Sequence, residues 1–508
     1  MPERLAAAII PYRVRGADLE VFLVLRSPSL SFLGGYLAFP GGAVEESDTD
    51  VPLHSRVPGE DKNLRAMERR LFGCAARELF EETGLLLASP AGTRPPSNEE
   101  LLGLRESLSL REKNPPPLFG PFLEDHGMSV DLSRLRRAGR LITPRFSTVR
   151  FDTTFYFAEV QGEPELEILP GELLSGAWWS PGQVLQEWRH GKFRIAPPVT
   201  AILEILVAKG LTGAQEALQA IPPRYEDSGR AILAAPGYDF VPLATPPLPP
   251  EIPTNTFLIG AAQFVVVDAA PRREKGRRHL FEVIDTRLSA GDRLQALVLT
   301  HHHQDHVGAL EEIVARYGVP VWGHPRTAEL LDRKFDRLLA DGDEIALGPG
   351  PDGREGWSLR VLFTPGHAQG HIALYDERTA SLVAGDLVST LVSMYVGSPG
   401  GNLRDYFASL ARVRALPLET LYPSHGRPSH EPAKLIDDTV QHRGERIEEV
   451  YSFLADSPRD VAEIADEVYP DATPKLRPMI LRAARAALEH LVGEGRAERH
   501  GEDGFVRR

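Results

Sequence analysis

Residues 300–310, THHHQDHVGAL, carry four histidines and one aspartate directly after the apolar run LQALVL. That run predicts a buried strand, and a chain does not bury imidazoles at a strand end without partners for them. Four of the side chains can point from one turn at a common centre, leaving His302 to face elsewhere: His301, His303, Asp305 and His306. Nitrogen ligands with a carboxylate suit zinc, and manganese and iron are alternatives. The segment therefore predicts a metal site, with a solvated histidine-rich loop as the alternative.

Four more apolar segments end in a turn that presents one polar side chain. They are FVVVDAA with Asp268, TPGHAQGH with His367, LVAGDL with Asp386 and YPSHGR with His425. In this order, around HxHxDH, the series resembles the metallo-β-lactamase fold over about residues 245–430. The resemblance implies one metal held by His301, His303 and His367, and a second held by Asp305, His306 and His425. It further implies that Asp386 bridges the two metals and that Asp268 orients the histidine turn.

The chemistry that this resemblance implies is metal-assisted hydrolysis. Two zinc ions, or manganese or iron in their place, produce a hydroxide nucleophile at neutral pH that suits esters, thioesters, amides and phosphodiesters. Asp305 has a second, catalytic role as acceptor of a hydrogen bond from that nucleophile. His371, in the loop of His367, is expected to brace the structure, with substrate contact as the alternative. His324 is expected to be an ordinary polar residue at a strand end.

The segment after His430 is helical in pattern and ends in the polar hairpin sequence RAERHGEDGFVRR. Helices followed by a hairpin suggest a small winged helix. A metallo-β-lactamase domain with such a tail resembles the β-lactamase-like-protein-2 group, a glyoxalase-II-like branch that includes single-strand RNA endonucleases. Residues 431–508 hold 12 Lys+Arg and 17 Asp+Glu, a poor electrostatic match to nucleic acid. Three arginines form either a small basic patch or a solvated helix face: Arg477, Arg482 and Arg485.

A second unusual segment, RELFEETGL at residues 77–85, places three glutamates on one predicted helix face. Glu78, Glu81 and Glu82 are spaced i, i+3 and i+4, so their carboxylates repel one another unless a cation lies between them. The alternative is a solvated surface face. A Gly-Gly turn after an apolar strand, LAFPGGAVEES, comes before the segment and favours the functional interpretation.

Together these segments resemble the Nudix box over a region of about residues 1–210. Seven positions match its second half: Arg77, Glu78, Leu79, Glu81, Glu82, Gly84 and Leu85. In the first half, which begins at Gly42, the acidic position falls on Asp48, and 28 residues separate Asp48 from Arg77 where the family has seven. The insertion is expected to form a loop and an extended helix start.

The Nudix resemblance implies that Glu78, Glu81 and Glu82 bind magnesium or manganese, hard ions that prefer carboxylate oxygen. Glu81 or Glu82 acts as the base for attack of water on a diphosphate, and Arg77 holds a glutamate by a bidentate pair. LVLRSPSLSFLGGYLAFPGG also resembles the segment of coenzyme A diphosphatases. That likeness implies substrate contacts from Arg26, Gly41 and Gly42, and a CoA or nucleotide derivative as substrate.

The length of 508 residues suggests several domains, since single cores stop growing well below that size. We expect a Nudix α/β/α sandwich over residues 1–210, a proline-rich linker over 211–250, a metallo-β-lactamase αββα sandwich over 251–430 and the winged-helix tail over 431–508. The class is α/β and α+β multidomain. A single cysteine, Cys74, fits a reducing compartment, and no apolar run approaches a membrane span, so the chain is expected to be cytoplasmic.

The sequence thus predicts a bifunctional metal-dependent hydrolase that acts on small-molecule substrates. One alternative is a single-strand RNA endonuclease whose Nudix domain binds a nucleotide or regulates without catalysis. Under that alternative, Asp48 and the long insertion mark a Nudix fold that does not cleave. A homodimer is compatible with the sequence, and nothing in the sequence decides the oligomeric state.

Overall fold

The computed structural model describes residues 3–30, 32–55, 65–90, 95–110, 118–145, 147, 149–162, 164, 166–169, 171–245 and 252–508. The chain divides into two compact units, Met1–Pro236 and Gly237–Arg508. Each unit mixes helices with sheets. In the described ranges, no helix is both long enough and apolar enough to cross a membrane.

The first unit begins with strands and closes with a long helix. Its strands are β1 (Arg4–Arg15), β2 (Asp18–Arg26), β3 (Tyr36–Ala38), β4 (Gly41–Ala43), β5 (Leu53–His54), β6 (Ala88–Pro90), β7 (Met128–Asp131), β8 (Leu135–Ile142), β9 (Phe151–Glu159), β10 (Leu173–Trp179), β11 (Arg194–Ile195) and β12 (Ile232–Ala235). Its helices are α1 (Ala66–Thr83), α2 (Asn98–Leu110), α3 (Phe119–Asp125), α4 (Pro181–Arg189) and α5 (Pro197–Ala220).

The main sheet of this unit has the order β11-β3-β2-β1-β9-β8, with β10 paired to β2 and β4 paired to β1. The residues of strand β1 show why this sheet is covered by helices on both faces. Its residues alternate in direction, so Ala7 and Ile9 join the core beneath α1, whereas Ala8 and Ile10 join the core beneath α4 and α5. Two helical layers therefore enclose one sheet, which confirms the predicted α/β/α sandwich.

Helix α1 places the glutamates at its C-terminal end. A capping box between Arg65 and Glu68 begins the helix, and Gly84, with φ of 75°, ends it with its N–H bonded to the Phe80 carbonyl. The face formed by Cys74 and its neighbours is buried against the sheet. The box glutamates thus lie in the last two turns, beside strand β4, which contains Gly41 and Gly42.

The linker expected at residues 211–250 differs from the structure. After a break at Gly210, where φ is 63°, residues 211–220 continue α5, and Ala214 and Leu218 are buried in the core of the first unit. Residues 238–244 form a strand of the second unit. Burial of two apolar side chains outweighs the irregular composition that suggested a linker. The prolines at 246–250 lie outside the described residues, and the predicted boundaries at 210 and 251 stay predictions.

The second unit has two larger sheets. Its strands are β13 (Tyr238–Ala244), β14 (Pro253–Gly260), β15 (Gln263–Val267), β16 (Arg293–Leu299), β17 (Val321–Gly323), β18 (Arg337–Leu338), β19 (Glu344–Gly348), β20 (Trp357–Phe363), β21 (Ile372–Asp376), β22 (Ser381–Gly385), β23 (Thr420–Pro423), β24 (Arg459–Asp460), β25 (Ala497–His500) and β26 (Gly504–Arg507). Its helices are α6 (Glu274–Ser289), α7 (Leu310–Tyr317), α8 (Pro325–Leu330), α9 (Leu403–Arg414), α10 (Pro432–Ser452), α11 (Val461–Val468) and α12 (Arg477–Gly493).

Strands β13 to β18 form one sheet in chain order, and β19 to β23 form the other. The sheets face each other, since Tyr238 of the first stacks on Tyr422 of the second with ring centroids 4.9 Å apart. Each sheet contains parallel neighbours: β15 to β18 run parallel in the first sheet, and β22 runs parallel to β23 in the second. Parallel strands end at the same edge, so the loops that follow them come together. This arrangement confirms the metallo-β-lactamase fold expected for the region.

The tail is part of the second unit rather than an appendage. Strands β24, β26 and β25 form a small sheet, and β25 with β26 is the predicted hairpin. A continuous apolar core joins Leu382 and Leu421 of the second large sheet to Ile447 of α10 and Leu488 of α12. The identification of this segment as a winged helix stays a prediction.

Candidate metal centres

The candidate ligands of the second unit all follow strand ends. Asp268 comes after β15, the histidine turn after β16, Asp386 after β22 and His425 after β23; His367 lies in the loop between β20 and β21. The preceding strands are apolar and buried, so each loop starts from a fixed point. The sequence periodicity located these loops correctly.

Two groups of side chains converge there, and within each group one ligand atom per residue lies within 4.8 Å of all the others. The first group is His301, His303, His367 and Asp386, and the second is Asp305, His306, His425 and Asp386. These are the seven residues that the sequence singled out, divided in the way that the resemblance implied. His302 belongs to neither group.

Asp386 belongs to both groups and directs one carboxylate oxygen at each. Its Oδ1 lies 3.3 Å from Nε2 of His306 and 3.3 Å from Nε2 of His425. Its Oδ2 lies 3.3 Å from Nε2 of His367 and 3.9 Å from Nε2 of His301. A carboxylate placed in this way is able to connect two cations.

Oxygen acceptors behind the rings fix the direction of three imidazoles. Nδ1 of His306 donates to Oδ2 of Asp268 at 2.8 Å, and Nδ1 of His367 donates to the Tyr395 carbonyl at 2.6 Å. Nδ1 of His425 donates to the Pro253 carbonyl at 3.1 Å. Because an oxygen acceptor lies beside Nδ1 in each case, Nε2 of each ring is directed at the centre.

Asp268 holds the histidine turn as well as one ring. Its Oδ1 accepts the Thr300 backbone N–H at 2.8 Å, and its Oδ2 accepts the Thr300 hydroxyl at 2.8 Å. Asp268 has φ of 64°, in the left-handed region that is unfavourable for most side chains. Such strain persists only where surrounding contacts enforce it, and it concentrates at functional sites.

Charge and burial set the protonation of the cluster. Burial lowers the pKa of His301 and His367 well below the usual imidazole range, which keeps both rings neutral and able to coordinate. Burial also lowers the pKa of His306, but Asp386 and Asp268 outweigh it and leave that pKa raised. For Asp386, burial raises the pKa, whereas His425 and His306 hold it well below its usual range.

The donor set fits divalent metal ions. Nδ1 of His303 lies 3.1 Å from Nε2 of His301 and 2.8 Å from Nε2 of His367, so three imidazole nitrogens face one another. Among the described residues, Nε2 of His306 and Oδ1 of Asp386 are buried without a hydrogen-bond partner. Buried polar atoms are costly unless they are satisfied, and a cation satisfies all of these atoms together. A His/Asp metal site is therefore present.

The neighbouring histidines have structural contacts. His371 bonds Thr364 through Nδ1 at 2.8 Å, and its Nε2 accepts the Asp386 backbone N–H at 3.0 Å, so it braces the Asp386 loop. Burial lowers its pKa to about 4. His324 caps α8 and stacks on Phe363 with centroids 4.3 Å apart. Both observations agree with the structural roles expected from the sequence.

In the first unit, Arg77 occupies the centre of the acidic cluster. Its Nε and Nη2 donate to Oδ1 and Oδ2 of Asp48 at 2.7 and 3.2 Å. Its Nη1 donates to Oε1 of Glu78 at 2.8 Å and to Oε2 of Glu81 at 3.3 Å. The bidentate partner is thus Asp48, not a glutamate as the resemblance implied, because both Asp48 oxygens face the Nε–Nη2 edge of the guanidinium.

Close packing explains how Asp48 reaches Arg77 across the long insertion. A Cβ on Gly73 of α1 would lie 2.1 Å from the Asp48 carbonyl, so only glycine lets the turn at Glu46–Asp50 approach the helix. Asp48 is 1% exposed, and its Oδ2 also accepts the Glu45 N–H at 2.8 Å. The structure therefore gives Asp48 a clear role as the partner of Arg77.

Glu82 is bonded to the backbone of strand β4 at Gly41. Its Oε2 accepts the Gly41 N–H at 2.9 Å, and a Cβ on Gly42 would lie 2.4 Å from Oε1 of Glu78. Loss of hydration and then the Glu78 carboxylate raise the pKa of Glu82 well above its usual value, against the Gly41 bond and Arg26. Among the described residues, the three glutamates do not form a convergent ligand group like the two of the second unit.

Several supporting residues gave no recognisable sequence signal. Arg105, on α2, donates to the carbonyls of Glu81 and Glu82 at 2.9 and 3.0 Å and so binds the end of α1. Asn255, on β14, bonds carbonyls on both sides of His425. Both act on backbone oxygen, which every residue has, so no motif marks them. Burial of a polar residue within a predicted strand, as at Asn255, is the one available hint.

Comparison with known families agrees with the geometry of both sites. The family model described as the metallo-beta-lactamase superfamily matches residues 249–425. The model described as the NUDT19 Nudix domain matches residues 52–205. The two matches lie in different units, and they include the two groups of the second unit and the box glutamates of the first.

Individual relatives cover parts of the chain. The beta-lactamase-like protein 2 homolog of Caenorhabditis elegans is 25% identical over 254 residues, 48% of this chain and 80% of that protein. A hydroxyacylglutathione hydrolase of Bdellovibrio bacteriovorus is 32% identical over 133 residues, 26% of this chain and 49% of that protein, so the chain spans about half its length. The crystal structure of a NUDIX hydrolase from Alicyclobacillus acidocaldarius is 27% identical, has a TM-score of 0.35, and covers 44% of this chain and 99% of that chain. The chain therefore joins a Nudix domain to a metallo-β-lactamase superfamily domain and is a metal-dependent hydrolase.

Proposed function

We propose that the protein is a bifunctional hydrolase in which the second unit cleaves a thioester or ester at a dinuclear metal site and the first unit cleaves a diphosphate linkage. The placement of Asp386, with one oxygen toward each ligand group, carries the first half of this proposal. The donors fit zinc, with manganese or iron as alternatives. When bound, such ions would supply a hydroxide nucleophile at neutral pH and polarise the group to be cleaved.

The protein side chains of this site have separate tasks. His301, His303 and His367 hold one position, and His306 and His425 belong to the other. Asp305 is the partly exposed member of its group, with 25% of its side chain accessible, and its Oδ2 lies 3.6 Å from Nε2 of His425. A carboxylate at that edge accepts a proton from the attacking water and orients it.

A thioester or ester suits this site better than RNA. The tail has a surplus of acidic residues, and two of its three candidate basic residues are engaged. Arg477 binds Asp466, with Nη2 3.0 Å from Oδ2, and Arg485 binds Asp503. A surface whose arginines are already neutralised attracts phosphate backbones weakly.

For the first unit we propose hydrolysis of a diphosphate in a CoA or nucleotide derivative, with magnesium or manganese held by Glu78, Glu81 and Glu82. Arg26 supports this proposal: its Nε is buried without a hydrogen-bond partner among the described residues, and its charge lowers the pKa of Glu82. A cation there can bind phosphate. Substrate contact by Gly41 and Gly42 rests on the resemblance alone, because the space beside them is taken by Ala7, Ala8 and Glu78. We propose that Glu82 accepts the proton of water.

The two activities connect through one substrate class. Hydrolysis of an acyl-CoA thioester yields a carboxylate and a free thiol, and the CoA so released still carries its diphosphate. The first unit would then cleave that diphosphate. An acyl-CoA therefore contains a bond for each site, a thioester for the second unit and a diphosphate for the first.

The test is metal content and hydrolysis measured on wild type, Glu82→Gln and His303→Ala. The panel contains acyl-CoAs, nucleoside diphosphate derivatives, a glutathione thioester and single-stranded RNA. We expect His303→Ala to lose thioesterase activity only, and Glu82→Gln to lose diphosphatase activity only, each by roughly 10²-fold or more. If only His303→Ala changes any activity, the first unit is a binding module. If RNA is the only substrate cut, the thioester proposal fails.

A further inference from the structure

Strand β14 contacts the loop that carries His425 at three main-chain positions. Asn255 on this strand is 1% exposed. Its side-chain Nδ2 donates to the Pro423 carbonyl at 2.9 Å and to the Gly426 carbonyl at 2.8 Å. Its backbone N–H donates to the Ser424 carbonyl at 2.7 Å. One asparagine therefore fixes the chain immediately before and immediately after His425.

The same strand also orients the His425 ring. Nδ1 of His425 donates to the carbonyl of Pro253, two residues before Asn255. The ring thus has its outer nitrogen and its backbone fastened to a single strand of the opposite sheet. Its inner nitrogen, Nε2, lies 3.3 Å from Oδ1 of Asp386. A shift of β14 relative to the loop would move that nitrogen directly.

The chemistry of the amide explains why asparagine occupies this position. Two carbonyl oxygens require two donated protons, and the Nδ2 group supplies both from one atom. A carboxylate of the same shape has only acceptors and would face two carbonyl oxygens without a proton between them. Among the described residues, Oδ1 of Asn255 is buried without a hydrogen-bond partner. An unsatisfied buried oxygen lowers the stability of the fold, so folding alone does not favour asparagine here. The two donated bonds are the compensating gain.

We propose that Asn255 is a positioning residue for the second metal position, the one formed by Asp305, His306, His425 and Asp386. Asn255 itself does not belong to that ligand group. It fixes the position of Nε2 of His425 relative to Asp386, and this position determines the affinity of the protein for the second metal ion. This inference rests on the proposed dinuclear function and deepens it.

The experiment counts metal ions per chain in the full-length protein after dialysis, by elemental mass spectrometry, and titrates zinc back into the apo form. It compares wild type, Asn255→Asp, His425→Ala and Thr254→Val. Thr254 is the matched control, since it is a buried polar residue on the same strand whose hydroxyl contacts Thr245 at 2.8 Å instead of the His425 loop. The absorption spectrum of the cobalt-loaded protein reports the coordination of each ion.

We expect two ions in wild type and Thr254→Val, and close to one in Asn255→Asp and His425→Ala. The second zinc of Asn255→Asp should bind roughly 10- to 100-fold more weakly, with the first unchanged, as is typical when support behind a ligand is lost. A wild-type count of one would contradict the dinuclear function itself. A wild-type count of two with an unaltered count and cobalt spectrum in Asn255→Asp would overturn only the role of Asn255.

A further measurement distinguishes loss of folding from loss of the second metal ion. Circular dichroism is recorded for every variant, and Asn255→Ser, which keeps one hydroxyl donor without adding a charge, replaces Asn255→Asp if the latter does not fold. If Asn255→Ser folds and loses the second ion, the proposal stands. If neither variant folds while Thr254→Val does, Asn255 is required for folding and the positioning role is rejected.

Discussion

The glutamate site of the first unit and the histidine site of the second unit each bring several ionisable side chains close together. They limit the repulsion between these side chains in different ways. In the second unit, five imidazoles and one shared carboxylate converge; burial keeps His301 and His367 neutral, and the nearby carboxylates raise the pKa of His306. In the first unit, an arginine of the protein itself stands among the carboxylates. Arg77 binds Asp48, Glu78 and Glu81 at once, and Glu82 turns to a backbone N–H.

The charge of the ligands accounts for this difference. Imidazoles lose their charge when they are buried, so several of them can share a small volume with little repulsion. Carboxylates that share a site either take up protons or require a positive partner. We therefore expect the histidine site to be arranged before a metal binds, and the glutamate site, which depends on Arg77, to gain its ligand geometry only when an ion joins the cluster.

The largest effect in this comparison is expected at Asp386, because it is the single charge shared by both groups. Asp386→Asn should release both ions and lower thioester hydrolysis by about 10³-fold. Diphosphate hydrolysis by the first unit should stay unchanged. Metal content and rates on acyl-CoA and on a dinucleotide measure the two outcomes.

His302→Ala is the matched control for Asp386→Asn. His302 lies between two candidate ligands in sequence but belongs to neither group. It should keep two ions and most of its activity. Equal loss in the two variants would mean that the turn as a whole, and not the ligand atoms, determines metal binding.

The next largest effect is expected from removal of the internal cation. Arg77→Met removes the guanidinium that pairs with the buried carboxylates of Asp48 and Glu78, and breaking a buried pair in this way costs about 3–5 kcal/mol. Diphosphatase activity should be lost together with stability of the first unit. Hydrogen exchange of the amides of α1, followed by mass spectrometry, measures the free energy of opening.

A double variant separates the two losses. Arg77→Met with Asp48→Asn removes one of the stranded charges and keeps the acceptor for the Glu45 N–H. It should recover part of the stability but none of the activity. If activity returns with stability, Arg77 serves only to hold the fold, and the contrast between the two sites is weaker than stated.

The sequence predicted the histidine site well because local rules define it. The apolar segments marked the loops, and the resemblance to the metallo-β-lactamase fold implied that HxHxDH and the lone ligands meet; the parallel strand pairs now give a physical reason for part of that convergence. The glutamates were placed on one helix face by the same kind of periodicity. The Asp48 contact was harder, since 28 residues intervene and only the packing of Gly73 shows how the gap closes.

Hydrogen bonds from the ligand rings to main-chain carbonyls could not be predicted from the sequence. The carbonyls of Tyr395 and Pro253 orient two ligand rings, yet any residue at those positions has the same carbonyl. For a related reason the sequence did not indicate the helix at residues 211–220, because burial of Ala214 and Leu218 depends on tertiary packing. Local pattern specifies which side chains meet, whereas tertiary contacts specify how they are held.

The smallest expected effect concerns Glu82 and pH. Burial and Glu78 raise its pKa above the ordinary 4.5, so the folded state binds the Glu82 proton more tightly than the unfolded state does. Its contribution to stability is therefore present below about pH 4.5 and is lost as the pH rises toward the folded-state pKa. In magnesium-free buffer, Glu82→Gln should thus be more stable than wild type at pH 7, by on the order of 1 kcal/mol.

Magnesium should remove this difference, because only the wild-type carboxylate gains from the ion. Hydrogen exchange of α1 between pH 5 and pH 8, with and without magnesium, measures both effects, and Glu106→Gln on the exposed side of α2 is the control. A wild type that is more stable than Glu82→Gln at pH 7 without magnesium would show that the carboxylate is already compensated within the protein. The glutamate site would then have its ligand geometry before an ion binds, as we expect for the histidine site. The proposed difference between the two sites would no longer hold.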